Sequence, residues 1–417
     1  MNSDKKYINM KKLLNNRISH LLFLGMMMMI TMLTSCNNDD DSNGAPVITE
    51  IRNYAAAPND TLVNKLVPGQ WVVLKGSNLK NAVKIAFNGV AAQFDAGLFS
   101  DTYAVVQIPY VIPFPSVPEN QLNTIEVATT GGSTIFNIDI VAGPPALAGI
   151  SNENPVENDS VTVYGTNLFL VKELSFGGVG ITDYISKDDG TAISFVMPNS
   201  TTSGPLKITT ASGEILTTFN VNDLTTGMLC NFDTIGSMAW GTSTSNNDPD
   251  FPGNHGWYPI LNTGVLGAGN GAWWEGGRSI NIENGSEWVS TADLELDIDQ
   301  FVLKFELNVP GDWKDTSIFI LRDYNWDYIA RFEPWKLSET KTTTFTTAGK
   351  WVTVTIPLTE FRTKKDGKDG TGNSAVSLSE LFGTKKKTIN FFTMNNGDKP
   401  TTGLRAGIDN IRVVKIK

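Results

Sequence analysis

The first half of the chain contains an internal repeat. Short motifs recur 89 residues apart over more than thirty positions, which is too regular for chance. The matched pairs are Gly76–Leu79 with Gly165–Leu168, Phe87 and Gly89 with Phe176 and Gly178, and Ile108–Pro109 with Met197–Pro198. Beyond these the offset shortens to 81–83, so the first copy carries about eight extra residues in its proline-rich stretch 110–115. The sequence therefore predicts two copies of one small fold in tandem.

Each copy has the length of an immunoglobulin-like sandwich, with short strands leading into a Gly-x-Asn-Leu turn. Glycine and asparagine there tolerate the left-handed backbone of a tight turn. The patterns GSNL…FNG and GTNL…FGG resemble the IPT/TIG immunoglobulin-like domain, over residues 45–141 and 143–221. Some domains of that kind bind DNA, but neither copy has a basic cluster, so we expect spacers. Trp71 is interpreted as a core or strand-edge residue.

The N-terminus resembles that of an exported lipoprotein. Basic residues precede an apolar run from Leu21 to Leu33, which is short for a bilayer span and is flanked like a secretory signal. Leu33–Cys36 resembles a bacterial lipobox, which implies a signal peptide over 1–35 and lipidation of Cys36. An uncleaved anchor helix is the alternative. Cys230 is then the only free thiol, so we expect no intrachain disulfide.

An acidic, polar segment follows at 36–44 and is predicted to be a flexible tether. It also resembles the export signal that sends some lipoproteins of Gram-negative polysaccharide degraders to the outside of the outer membrane. A plain solvated linker explains the same residues, and the sequence leaves both readings open. The net charge of −10 and pI of about 4.9 argue against nucleic acid or anionic lipid as partners, so a neutral ligand fits better.

From about Asp223 the composition changes, but strand-like alternation continues. In 301–307 the odd positions are apolar, whereas Lys304 and Glu306 point the other way, and in 351–358 the even positions form the core face. Segments 317–321 and 327–332 read as a hairpin with an aromatic tip. The chain is therefore predicted to be all-β, ending in one jelly-roll β-sandwich over 223–417.

Together, the lipobox, the tandem IPT-like copies and the closing strands resemble a surface glycan-binding lipoprotein of a polysaccharide-utilisation system. In that family the C-terminal domain is of the type first named for xyloglucan. The resemblance implies an aromatic platform that binds a β-glucan. It also implies an outer-membrane location facing outward, with an outer-membrane transporter and surface glycanases as partners, and no catalysis by the protein itself.

Nine of the ten tryptophans lie at or after Trp240, which places the predicted platform in the last domain. Trp273 and Trp274 are adjacent in a glycine-rich segment, and neighbours on a strand point to opposite faces, so at least one should lie outside the core. The resemblance assigns these two and Trp240 to the platform. Trp257 is a fourth candidate.

Other side chains in this domain have two possible roles. Trp326 and Trp313 sit in predicted turns, where they either extend the platform or pack structurally. Glu275, Arg278 and Arg331 are interpreted either as partners of sugar hydroxyls or as members of local salt bridges. Three further tryptophans are expected to pack structurally: Trp288, Trp335 and Trp351.

No cofactor is required, but a structural calcium ion is possible. The resemblance puts Asp233 and Asp409 near the first and last strands, where carboxylate oxygens suit calcium, and ordinary turn roles are the alternative. The alternative functions are a glycoside hydrolase, which needs a placed carboxylate pair, and an adhesin that binds a host protein. His255 is the only histidine of the mature chain, which does not favour a Ser-His-Asp site.

Overall fold

Antiparallel β-strands provide most of the regular structure, in a computed structural model that describes residues 44–199, 202–382 and 387–416. This confirms the all-β class. The predicted signal segment, Cys36 and the tether up to residue 43 lie outside the described residues. Among the helices of the described residues, none is long and apolar enough to cross a membrane.

The first copy forms one three-stranded sheet, β1-β3-β6, and one four-stranded sheet, β5-β4-β7-β8. Val72 and Leu74 of β3 are buried, whereas Trp71 on the opposite face of the strand is 44% exposed. The strands are β1 Val47–Asn53, β2 Lys65–Leu66, β3 Trp71–Ser77, β4 Ala82–Phe87, β5 Val90–Ala91, β6 Tyr103–Gln107, β7 Thr124–Thr129, β8 Gly132–Asn137 and β9 Asp139–Ile140.

The second copy forms two four-stranded sheets, β10-β11-β15-β14 and β13-β12-β16-β17. Its core contains Val161, Val163, Leu174 and Phe176, on the alternating inner positions of two of these strands. The strands are β10 Ala146–Ile150, β11 Ser160–Thr166, β12 Val171–Phe176, β13 Val179–Gly180, β14 Tyr184–Ser186, β15 Ala192–Val196, β16 Leu206–Thr210 and β17 Gly213–Leu216.

The strand boundaries carry the repeat that the sequence predicts. Strands β3, β4, β5 and β6 begin 89 residues before β11, β12, β13 and β15, respectively. The turn asparagines Asn78 and Asn167 have φ of 59° and 56°, which is the left-handed backbone expected for this motif. Each also donates its side-chain Nδ2–H to a backbone carbonyl near the start of its own copy, Ala45 and Pro144 respectively, at 3.0 Å.

The C-terminal domain is a sandwich of two antiparallel sheets. One is β20-β21-β28-β23-β26, with β18 also paired to β28, and the other is β19-β22-β27-β24-β25. The strands are β18 Met228–Cys230, β19 Met238–Gly241, β20 Ser243–Ser245, β21 Tyr258–Asn262, β22 Ser279–Ile282, β23 Phe301–Asn308, β24 Ser317–Leu321, β25 Ile329–Phe332, β26 Val352–Pro357, β27 Ile389–Met394 and β28 Arg405–Lys415.

Helices are short. The one α-helix of the described residues is Leu378–Phe382, and its Leu378, Leu381 and Phe382 are buried. The 3-10 turns are Ala96–Leu98, Phe114–Ser116, Glu119–Gln121, Thr291–Asp293, Ile298–Gln300 and Leu358–Glu360.

The core of the sandwich follows the predicted alternation. Phe301, Leu303, Phe305 and Leu307 of β23 all face it, and Ile356 and Leu358 reach it from the other predicted strand. The predicted hairpin is also present, as β24 paired with β25. This pattern leaves the opposite face of each sheet available for other contacts.

Residue contacts divide the chain into two units. The first comprises residues 44–64, 70–109 and 123–139, and the second comprises the other described residues. All strands fall inside the predicted domain ranges 45–141, 143–221 and 223–417, whose boundaries remain a proposal. The second unit includes both the second copy and the C-terminal sandwich.

Candidate functional site

A layer of aromatic rings covers the outer face of the five-stranded sheet. Phe392 of β27 and Phe319 of β24 point outward, because their strand neighbours Phe391 and Ile320 belong to the interior core. Trp273 lies flat on Phe392, with ring centroids 3.9 Å apart and planes 13° apart. The layer thus has a buried aromatic floor, on which further rings rest.

Trp240 and Tyr324 lie side by side above this floor. Their planes differ by 7° and their centroids are 6.2 Å apart. The Trp240 indole N–H donates to the Tyr324 hydroxyl at 3.0 Å. Because that N–H points along the indole plane, and rings stacked face to face are separated by about 3.5 Å or more, the two rings must be nearly coplanar neighbours. Together they form one wide, flat surface.

Trp274 projects from the edge of this surface. Its side chain is 63% exposed, and its ring stands at 82° to that of Trp273 at a centroid distance of 5.6 Å. Trp240 is 40% exposed. We call the set Trp240, Trp273, Trp274 and Tyr324 the aromatic shelf. Trp240 and Tyr324 form its flat part, Trp273 is tilted by 37° and 32° to their rings, and Trp274 is nearly perpendicular to Trp273.

Arg278 holds the loop that carries Trp273 and Trp274. Its guanidinium, only 2% exposed, donates to the Asn270 side-chain oxygen at 2.8 Å and to the backbone carbonyls of Asn270 and Thr393 at 3.1 Å. It also pairs with the exposed carboxylate of Glu275 at 3.0 Å. Of the two roles predicted for Arg278, the structure shows the local salt bridge: the buried guanidinium supports the loop and does not face a sugar hydroxyl.

The edge of the shelf is polar. The Tyr324 hydroxyl donates to the exposed carboxylate of Glu283 at 2.9 Å. Burial, reinforced by that carboxylate, raises the pKa of Tyr324 to about 12, so the hydroxyl stays neutral at physiological pH. Glu283 and Glu275 thus place hydrogen-bond acceptors beside the apolar surface.

Two other candidate tryptophans lie at different depths. Trp326 is partly buried against Phe392 and Phe319 and belongs to the floor. Trp257 is exposed but precedes β21 of the six-stranded sheet, and its backbone N–H donates to Asp233 at 2.9 Å. Within the described ranges no ring contact joins Trp257 to the aromatic shelf.

For Trp313 the sequence leaves two roles open, extension of the platform and structural packing, and the structure shows packing. Its ring is fully buried in the interior core, and its N–H donates to the Thr316 carbonyl at 2.8 Å. The turn that carries it folds inward, and Trp313 forms a β-bridge with Phe345.

Three tryptophans expected to pack structurally are also buried: Trp288, Trp335 and Trp351. Arg331 forms a salt bridge with Glu333 at 2.5 Å and lies over the Phe319 ring.

The predicted calcium ligands do not complete a coordination shell. Burial, followed by the carboxylates of Glu306 and Asp233, raises the pKa of Asp409 well above its ordinary value. Calcium binds six to eight oxygens, but the described residues contain no group of three or more His, Cys, Asp or Glu side chains placed to hold a metal. These side chains do not fit the ion by themselves.

Sequence reasoning missed Tyr324 as a member of the shelf. The available signal was its place in the aromatic hairpin tip beside Trp326. Asp323 and Tyr324 adopt φ of 52° and 55°, which turns the tip back over the sheet. That backbone geometry depends on contacts with distant strands, so the local sequence does not reveal it.

The C-terminal domain is similar to a known family. Residues 221–415 match the family described as surface glycan-binding protein B xyloglucan binding domain. A curated relative, an IPT/TIG domain-containing protein of Bacteroides ovatus, is 25% identical over 165 residues, which are 39% of this chain and 34% of the relative. The chain thus spans about a third of that relative's length.

Solved structures share the fold over nearly the whole chain. Surface glycan-binding protein PbSGBP-B from Prevotella bryantii aligns with a TM-score of 0.62 and 22% identity, covering 90% of this chain and 99% of that one. SGBP-B from a complex xyloglucan utilization locus in Bacteroides uniformis gives 0.52 and 18%, covering 89% and 100%. Over residues 221–415 the chain is therefore similar to the surface glycan-binding protein B xyloglucan binding domain, and over nearly its whole length it shares the fold of two solved surface glycan-binding proteins.

Proposed function

We propose that this protein is a cell-surface lipoprotein that binds a β-glucan on its aromatic shelf and supplies it to uptake and degradation machinery. The observation that carries the proposal is the coplanar pair Trp240 and Tyr324, in contact with Trp273 and followed by the exposed Trp274. Pyranose rings have flat CH faces edged by hydroxyls. A flat aromatic surface displaces water from the faces, while Glu275 and Glu283 are placed to accept hydrogen bonds from the edges.

The size of the shelf predicts modest affinity. If each of three stacked sugar contacts removes about 100 Å² of apolar area from water, the gain is about 7.5 kcal/mol at roughly 25 cal/mol/Å². Association costs of at least about 4 kcal/mol leave at most about 3.5 kcal/mol, which is a millimolar dissociation constant before hydrogen bonds are added. Such binding lets the protein release its glycan to a downstream partner.

Xyloglucan or mixed-linkage glucan is the proposed ligand. The matched family is named for xyloglucan, and the similar Bacteroides uniformis protein comes from a xyloglucan utilization locus. Two coplanar rings also suit an extended chain whose successive sugars present faces in one plane. A strongly curved glucan would leave one of the two rings without a partner.

The proposed location is the outer face of the outer membrane, anchored through lipid on Cys36. The lipobox and the acidic tether support this, together with the surface proteins that the chain resembles. The proposed partners are an outer-membrane transporter and surface glycanases. Metabolic labelling with a palmitate analogue tests the anchor: the parent should incorporate the label, and a Cys36→Ala variant should not.

Native affinity electrophoresis tests the binding function. The protein is run in gels containing xyloglucan, mixed-linkage glucan, laminarin, mannan or xylan, beside Trp240→Ala, Trp274→Ala and Trp71→Ala. Trp71 is the matched control, because it is as exposed as Trp240 but lies in the first copy. We expect one or two β-glucans to retard the parent and Trp71→Ala, and both shelf variants to lose retardation.

Three outcomes would count against the proposal. If none of the glycans retards the parent, the binding proposal is wrong. If Trp71→Ala loses retardation as much as the shelf variants do, the position of the tryptophan in the shelf does not explain the effect. New reducing ends appearing with time would indicate hydrolysis rather than binding. Capture of a host protein in a glycan-free pull-down, without any glycan retardation, would favour the adhesin alternative.

A further inference from the structure

Two buried asparagines connect the two coplanar rings of the shelf. Asn281 of β22 donates its side-chain N–H to the Trp240 carbonyl at 3.3 Å and to the Ser279 hydroxyl at 3.0 Å. Asn390 of β27 stands opposite Asn281 in the sheet and donates to its side-chain oxygen at 3.0 Å. The Asn390 oxygen in turn accepts the backbone N–H of Tyr324 at 2.8 Å. We call Asn281 and Asn390 the amide ladder.

The ladder lies in an environment where its hydrogen bonds are strong. Both asparagines are fully buried on the outer face of the sheet, and the adjacent outward residue of β27 is Phe392. A buried amide is costly unless it is hydrogen-bonded, and a planar amide accepts and donates in fixed directions. Each asparagine therefore fixes the position of the backbone to which it bonds.

Tyr324 depends on this support more than an ordinary turn residue does. Its φ of 55° follows Asp323 at 52°, and non-glycine residues rarely adopt this left-handed conformation. Two such residues in succession persist only where surrounding contacts hold them. The hydrogen bond from Tyr324 N–H to Asn390 is such a contact, at the point where the tip turns back over the sheet.

We propose that Asn281 and Asn390 are positioning residues that hold Trp240 and Tyr324 in one plane, and that Tyr324 itself contacts the glycan. The ladder fixes the backbone at both rings, and the hydrogen bond between indole and hydroxyl completes the closed connection. A sugar chain that spans both rings then meets one surface rather than two independent ones. This inference rests on the proposed glycan binding.

The experiment compares Asn281→Ala, Asn390→Ala and the double variant in the full mature chain. The control is Asn308→Ala, because Asn308 is equally buried and donates to the Gly349 carbonyl at 2.9 Å but lies in the other sheet. Binding to the retarding β-glucan is measured by calorimetry. We expect each ladder variant to bind about tenfold more weakly, and the double variant to lose little more, because both act through one connection.

Two further variants separate contact from support. Tyr324→Phe keeps the apolar face and should bind within about threefold of the parent, whereas Tyr324→Ala should lose about tenfold. Asn390→Asp keeps an oxygen for the Tyr324 N–H and should retain more binding than Asn390→Ala. Because Tyr324 is at the protein surface, its variants remain informative if a ladder variant fails to fold.

A glycan-free measurement distinguishes failure of this inference from failure of the proposed function. Hydrogen exchange at the Tyr324 amide should accelerate in Asn390→Ala and stay unchanged in Asn308→Ala, and the near-ultraviolet dichroism of the coupled rings should change in the same variant only. If the parent binds no glycan, the glycan-contact part of the inference falls together with the proposed function, and these two signals still decide whether the ladder positions the rings. Parental affinity in all ladder variants, or equal loss in Asn308→Ala, would overturn the inference.

Discussion

Trp240 and Trp313 show how differently the same residue type is used in one domain. Both lie within two residues of a glycine, but Trp240 is on an edge strand and 40% exposed, whereas Trp313 is fully buried in the core. The buried indole is satisfied because its N–H reaches the Thr316 carbonyl, which also accepts the N–H of Trp335. Binding residues are thus distinguished by their contacts rather than by their local sequence.

Removing Arg278 should damage both stability and binding. Arg278→Ala removes the guanidinium donor from the Asn270 side-chain oxygen and from the carbonyls of Asn270 and Thr393, and it leaves a cavity in place of a buried side chain. We therefore expect a loss of about 2–4 kcal/mol in the free energy of unfolding. The Trp273–Trp274 loop should loosen and glycan affinity should fall. Urea unfolding and calorimetric titration check the two effects.

Glu275→Ala is the matched control for Arg278. Its ion pair is solvent-exposed on the carboxylate side, so the variant should change stability by less than about 1 kcal/mol. A reduced affinity at unchanged stability would identify Glu275 as a contact for sugar hydroxyls. If Arg278→Ala were as stable as the parent, the supporting role would be wrong.

Tyr324 predicts a specific alkaline pH dependence. Burial and the Glu283 carboxylate raise the pKa of Tyr324 to about 12 in the folded protein, whereas an unfolded tyrosine titrates near 10. Below pH 10 both states keep the proton. Between about pH 10 and 12 the unfolded state loses it while the folded state retains it, so stability falls as pH rises.

Urea unfolding at pH 9, 10 and 11 checks this dependence. The decline should be shallower in Tyr324→Phe, which has no hydroxyl proton to lose. Tyr328, whose pKa the Glu380 hydrogen bond also raises to about 12, is present in both proteins and cancels in the comparison. Identical pH slopes for the two proteins would contradict the assignment.

At the scale of strands and turns, the sequence correctly predicted strand positions and core faces wherever the pattern was local or repeated. Four strands of the first copy start 89 residues before their counterparts in the second copy, as the repeat predicts. The alternation of apolar residues correctly predicts the core face of β23. The adjacent Trp273 and Trp274 did mark an exposed surface. The sequence did not single out Tyr324 and left the role of Arg278 open, because their partners, Asn390 and Thr393, lie far along the chain.

Both copies have a glycine at the same place in the repeat, Gly76 and Gly165, and there is a steric reason for it. A Cβ on Gly76 would lie 1.7 Å from the Val47 carbonyl oxygen, and one on Gly165 would lie 2.0 Å from that of Ala146. Alanine at either position must push two paired strands apart, so we expect a loss of about 2–4 kcal/mol. Calorimetric melting of the full mature chain measures it.

Gly180→Ala provides the control for both glycine variants. A Cβ there meets no atom within 4 Å, so the substitution should change stability by no more than about 0.5 kcal/mol. Equal effects at all three positions would show that strand approach is not what requires glycine in the repeated turn.

At the scale of the whole molecule, a buried ionic network ties the second copy to the C-terminal sandwich within the second unit. Arg412 of β28 bonds to Glu306 at 2.8 Å and to Glu153 of the second copy at 2.9 Å, and Lys304 also pairs with Glu153. All four side chains are buried. The alternating pattern predicts that Lys304 and Glu306 face away from the core. It does not predict that the second copy, through Glu153, covers them.

This network should make the second unit unfold as one body. Arg412→Ala leaves two buried carboxylates with Lys304 as their remaining cation in the network, and breaking such a pair typically costs about 3–5 kcal/mol. We expect the single calorimetric transition of this unit to move to lower temperature and to split, as the second copy and the sandwich separate.

Arg405→Ala is the control, because Arg405 lies on the same strand but pairs with Asp248 and Asp250 at the surface. Arg405→Ala should lower the free energy of unfolding by less than about 1 kcal/mol, and its calorimetric transition should not split. Similar melting of the two variants would mean that Arg412 does not couple the unfolding of the second copy to that of the sandwich.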